Sequence, residues 1–185
     1  CPDKGTAPEA NSTGAALGAS DGAEVGSALT DGVAVGAGSG DPLAITIFEQ
    51  GPQAGVGMPY DDDVNSRLML ANIASIEIPP IGETYLDWIR RQPASRLKRY
   101  GVDPVAATDR SFFPRLMLGE YFRDQYLWLL EQAEACGITV TTYEGCEVAD
   151  IDPQSDGVWL TAPCLAQPAA YDRVVIATGH VWPDE

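Results

Sequence analysis

An α/β fold is what this sequence predicts, on three observations. The run Leu43-Ala-Ile-Thr-Ile-Phe-Glu49 is β-branched and aromatic, with Asp-Pro before it and Gln-Gly-Pro after it, the punctuation of a buried strand. A long helical pattern stops at Cys136-Gly137 and hands over at once to "ITVTTYE", which alternates at period two. Lastly, Val174-Val175-Ile176-Ala177 is apolar without alternation, as in a strand covered on both faces of a parallel sheet.

Taken in order, residues 1–40 are dominated by Gly, Ala, Ser, Thr and acids, and no aromatic residue precedes Phe48. Such a segment buries too little apolar surface to offset its ordering entropy. The sequence therefore predicts a flexible linker or insertion over 1–40, with a loosely packed helix through Ala15-Ala16-Leu17 as the alternative, and one domain over 43–185. Behind Pro79-Pro80, Tyr85, Leu86, Trp88 and Ile89 give "ETYLDWIRRQ" an apolar helical stripe that Pro93 ends. After "FFPR", Leu118, Phe122, Leu129 and Ala133 recur at helical spacing. "CEVADIDPQSDGVWLTA" then sets two apolar runs around the turn-rich Pro153-Gln-Ser-Asp-Gly157, which predicts a β-hairpin.

The stretch Val33–Glu49, "VAVGAGSGDPLAITIFE", imitates a dinucleotide-binding start. That motif needs a strand, G-x-G-x-x-G, and a helix whose N-terminal N–H groups face a pyrophosphate. Gly36 and Gly38 fit, but Asp41 falls at the third position and Pro42 follows it. A parallel crossover takes roughly a dozen residues, and only seven lie between Val35 and Leu43. The glycines are thus assigned to the tail of the linker, with a local hairpin between Val33–Val35 and Ala44–Phe48 as the lesser alternative. Glu49 fares better: an acid at the end of the second strand of a dinucleotide fold accepts hydrogen bonds from ribose hydroxyls. Its bland counterpart is a solvated acid at a strand end.

Eleven Lys+Arg against 27 Asp+Glu give a formal charge of −16, which repels nucleic acid and anionic membrane surfaces. A small anionic cofactor remains compatible, because backbone N–H groups and a single Arg act locally. No apolar run is long enough to span a bilayer. Cys1, Cys136, Cys146 and Cys164 show no C-x-x-C spacing, and His180 is the only histidine. A metal site is therefore not expected, and reduced thiols in a cytoplasm are.

The blocks "ITIFEQGPQAGVGMPY", "LMLANIASIEIPP", "TYLDWIRRQ", "FFPRLMLGEYFRDQ" and "RVVIATGHVWP" occur in this order. From about Leu43 onward the chain resembles a bacterial family of largely uncharacterised FAD/NAD(P)-binding proteins, distantly similar to flavin-dependent monooxygenases and oxidoreductases. The resemblance implies FAD as cofactor, with NAD(P)H as the accompanying hydride donor. It implies Glu49 as the ribose-binding acid, Gly55 and Gly57 in the loop after it, and Asn72 near the cofactor or the substrate. Arg115 falls just before the long helix, where it either reaches a phosphate or carboxylate or makes an ordinary surface salt bridge. Val148 matches a strand whose backbone meets adenine, and Thr178 and Gly179 match the A-T-G turn that closes the FAD domain. His180, beside that turn, is not assigned to catalysis.

Members of that family begin with a first strand, a true G-x-G-x-x-G and a helix, which this chain does not show in that form. The expected architecture is an incomplete Rossmann-like FAD-binding domain with a helical insertion at about 65–135 and a small β-hairpin or meander. The first strand is expected upstream of Cys1, and the NAD(P)-facing and substrate-facing parts after Glu185. The implied function is the FAD-binding part of an NAD(P)H-dependent oxidoreductase or monooxygenase acting on a small molecule. Its rivals are a non-catalytic nucleotide-binding module and a fragment too incomplete to hold the cofactor.

Overall fold

A computed structural model of the chain describes residues 33–36, 43–60, 62 and 65–179. The expectations for residues 1–32, for the glycine cluster beyond Gly36 and for His180 lie outside the described residues. The elements are β1 Val33–Gly36, β2 Ala44–Glu49, α1 Tyr85–Arg91, α2 Ala94–Tyr100, α3 Arg115–Ala135, β3 Thr139–Glu144, β4 Asp150–Gln154, β5 Gly157–Thr161, β6 Ala169–Tyr171 and β7 Arg173–Val175, with short 3-10 turns at Met58–Tyr60 and Ser75–Glu77.

The strands form a four-stranded sheet in the order β3-β2-β1-β7 and a three-stranded antiparallel meander β4-β5-β6. β2 and β3 are parallel, Ala44 facing Thr139 and Glu49 facing Glu144. Residues 50–138, which contain all three α-helices, supply the long crossover that parallel pairing requires. β1 runs antiparallel to both neighbours, with Val33 opposite Ile47 on one side and Val175 on the other. Seven residues join β1 to β2, too few for a crossover, so the direction of β1 follows from chain length.

The linker assignment is corrected at Val33–Gly36, which is a strand, as in the lesser hairpin alternative. A strand between two others makes backbone hydrogen bonds on both edges, a stabilisation that its poor side-chain composition does not reveal. β7 corrects a second expectation: it is three residues long, and Val175 and the following Ile176 are 53% and 66% exposed rather than covered on both faces. Its apolar run matches a buried strand in composition, but it lies at the end of the strand order, beside β1.

Helix α1 starts where the side-chain oxygen of Thr84 accepts a hydrogen bond from the Asp87 N–H, satisfying one orphan donor of the first turn. Pro93 does end it, and also begins α2 as its N-cap. That second helix was not anticipated, because a proline that stops one helix has the φ suited to opening another. α3 matches the predicted helix, yet its buried face carries Tyr121, Gln125 and Tyr126 besides Leu118, while Phe122, Leu129 and Ala133 are only half-buried. The stripe was read along one edge of a wider contact. α1, α2 and α3 enclose an aromatic core in which Tyr85, Trp88, Ile89, Met117, Leu118 and Tyr121 are at most 1% exposed. A smaller cluster of Ile47, Ala54 and Tyr126 ties α3 to the sheet.

Cys146 and Cys164 form a disulfide with Cα atoms 5.9 Å apart, which overturns the expectation of reduced thiols. The meander turns the chain back so that the β5–β6 connection meets the end of β3, and spacing along the sequence hides this. Cysteine pattern therefore gives no ground for a reducing compartment. Among the described residues no helix is long and apolar enough to cross a membrane.

Candidate functional site

Because β2, β3 and β7 share one direction, their C-terminal ends lie on one edge of the sheet. In open α/β sheets ligands bind outside the carboxyl ends of the strands. β2 ends there in Glu49, 4% exposed, whose Oε1 accepts a hydrogen bond from the Gly51 N–H at 2.6 Å. β3 ends in Glu144, whose Oε1 accepts from the Ala54 N–H at 3.0 Å and from Arg123 Nη1 at 2.7 Å. Arg123 also donates to the Ala54 carbonyl at 2.5 Å and lies over the Tyr126 ring. The loop after β2 is thus held to both β3 and α3.

Burial works to raise the Glu144 pKa, but the Ala54 N–H and the Arg123 guanidinium outweigh it and hold the carboxyl below its ordinary value. A depressed folded-state pKa contributes stability above the unfolded value, lost as pH falls through the folded one. Glu144→Gln is therefore expected to lower the melting temperature at neutral pH and to flatten its decline in acid. Melting curves across the acid range check this, and parallel curves for both proteins would refute the assignment.

In front of Glu49 opens a cleft of about 630 Å³, with Gly51, Val56 and Gly57 on the loop side and Arg67, Arg96, Arg99, Tyr100, Glu120 and Asp124 among the residues opposite. That volume is of the size that holds a small ligand. The far wall is an ionic lattice: Arg96 bridges Glu120 at 2.8 Å and Asp124 at 2.7 Å, and Arg99 meets Glu120 at 2.5 Å. Tyr100 donates to Glu120 at 2.6 Å; burial, then that carboxylate, push its hydroxyl up to about 12.

Of the residues singled out from the sequence, the cleft brings together Glu49 and Gly57. Gly55 is buried against α3, where an added Cβ would sit 2.5 Å from the Tyr126 Cβ, so its absence of a side chain serves packing. Arg115 opens α3 with its N–H donating to the Met69 carbonyl at 2.8 Å; its charge bears on Tyr60, which lines the cleft, but Arg115 itself does not. Asn72 is exposed and away from the cleft lining. Val148 lies outside any strand and packs on the apolar cluster of Phe48, Cys146, Leu160 and Ala162. Thr178 and Gly179 are exposed beyond β7, on the same sheet edge as Glu49.

Sequence reasoning missed the far wall. A signal was present: Arg90, Arg91, Arg96, Lys98 and Arg99 are five of the eleven basic residues of a chain of net charge −16.

A family profile described as FAD-NAD(P)-binding matches residues 21–181. The match starts ahead of Leu43, where the resemblance in sequence blocks begins, and so takes in β1 and the glycine cluster. The chain is also similar to "Uncharacterized protein YdhS" of Escherichia coli (strain K12), with 55% identity over 144 residues, 78% of this chain and 27% of that protein. It thus spans little more than a quarter of the relative's length. No solved structure matches the chain.

Proposed function

This chain belongs to the FAD-NAD(P)-binding family, and from that premise we propose that it is the FAD-binding part of an NAD(P)H-dependent flavin oxidoreductase or monooxygenase, with the adenosine ribose on Glu49. Family membership makes FAD its cofactor class, and NAD(P)H is proposed as the second nucleotide. The observation that carries the finer assignment is the position of Glu49: a carboxylate at the C-terminal end of a parallel strand, facing the cleft.

The adenosine half of the cofactor suits these residues. A ribose diol offers two hydroxyl donors, and a carboxylate accepts both. Gly51 beside it carries no side chain, and a Cβ there would stand 3.0 Å from Glu49 Oε1, filling the approach to that oxygen. When bound, a flavin would supply the redox chemistry of hydride and electron transfer. The chain's own part is to bind and orient: Arg123 and Glu144 fix the loop, and Glu49 sets the ribose. In this reading the domain is an incomplete Rossmann-like one, whose strand order places β1 between β2 and β7. Thr178 and Gly179 form the neighbouring rim of the same edge, and the substrate is a small molecule.

Glu49→Gln tests the assignment. Hydrogen bonds to a charged partner contribute about 1.5–3 kcal/mol, so the variant is expected to bind FAD about 10- to 100-fold more weakly with its melting temperature near wild type. Fluorescence titration with FAD measures it, and equal affinity in the two proteins would sink the ribose role.

A further inference from the structure

In a dinucleotide fold the acid of the second strand and the glycine-rich turn of the first meet the same nucleotide, because both strands end at one edge of the sheet. Here they do not. β1 is reversed, and Gly36, at its C-terminal end, faces Ala44, the end of β2 far from Glu49. A nucleotide held by Glu49 must find other donors for its phosphates.

The described cleft offers four arginines. Arg96 is committed to Glu120, Asp124 and the Gln92 side chain. Arg123 is committed to Glu144 and the Ala54 carbonyl. Arg99 uses one nitrogen, Nη2, on Glu120, and its side chain is 47% exposed. Arg67 meets Asp62 through Nη2 at 3.4 Å, with both side chains more than 60% exposed. A guanidinium carries five N–H donors, so Arg99 and Arg67 keep most of theirs, and exposed ion pairs such as Arg67–Asp62 yield readily. A phosphate takes an arginine fork in bidentate fashion.

We infer that Arg99 and Arg67 form a phosphate subsite of this cleft and meet the diphosphate of a nucleotide whose ribose lies on Glu49, in the role the glycine-rich turn has elsewhere. The inference rests on the ribose assignment of Glu49. Glu120 and Asp62 hold the two forks in place when no anion is present, and an incoming phosphate displaces Asp62 first.

Calorimetric titration of the full chain with adenosine and with ADP tests it, since the two probes differ only in the diphosphate. Wild type is expected to bind ADP at least about tenfold more tightly than adenosine, with the advantage shrinking as salt is raised. In Arg99→Gln the ratio should fall towards one; Arg67→Gln should reduce it in part, and Arg99→Lys, which keeps charge without the fork, should lie between. An ADP advantage that survives Arg99→Gln and Arg67→Gln overturns the subsite. If adenosine binds in a Glu49-dependent way but ADP gains nothing, the phosphate assignment alone fails. If neither probe binds wild type, the ribose assignment fails and takes the subsite with it.

Discussion

Replacing Trp88 by alanine is expected to lower the unfolding free energy by about 3–5 kcal/mol, the range for emptying a buried large aromatic site. Trp88 is 1% exposed and sits among rings, with centroids 5.8 Å from Tyr85 and 5.7 Å from Tyr121. These neighbours lie on α1 and α3 and cannot collapse into the space without moving a helix. The indole also has polar duties, as Nε1 donates to Asp124 at 2.9 Å and the Arg96 guanidinium lies 5.3 Å from the ring centroid. Alanine therefore removes the packing and one support of the cleft's ionic wall together. Trp88→Phe separates them: it keeps much of the apolar volume and loses the N–H, for about 1–2 kcal/mol. Urea unfolding followed by circular dichroism measures both. A loss under about 1 kcal/mol for alanine would mean that these helices do not share one core.

The sequence made the strands and the long helix legible because each has a period of its own, as in "ITVTTYE" and the α3 stripe, and because Gly137, with φ of 73°, marks a stop that few other residues adopt. Glu49 was legible for the same local reason, an acid at the end of an apolar run. What escaped depended on distant partners. β1 is stabilised by pairing with β2 and β7, more than a hundred residues apart in the chain. The disulfide depends on the meander, and the wall of Arg96, Arg99 and Glu120 on two helices crossing. Asn72, Val148 and Thr178 show the reverse: block order placed them by likeness, whereas none of the three is among the residues that line the cleft.

Gly55→Ala is expected to destabilise the domain by about 2–5 kcal/mol, as the sum of two separable effects. Gly55 has φ of 81°, in the left-handed region, where a Cβ costs roughly 1–2 kcal/mol. That Cβ would also meet Tyr126 at 2.5 Å from its Cβ, an atom that no rotamer change moves, so α3 or the loop must shift, at about 1–3 kcal/mol. Gly57 is the internal comparison: its φ is 80°, but an added Cβ would find nothing nearer than 3.7 Å. Gly57→Ala should therefore show the backbone strain alone. Both glycines carry the same signal in the sequence, yet one seats the loop on α3 and the other borders the cleft. Thermal or urea unfolding of the two variants decides between strain and packing. Equal losses would show that the approach of Gly55 to Tyr126 carries no energy, leaving the Arg123 contacts as the tie between α3 and the loop behind Glu49.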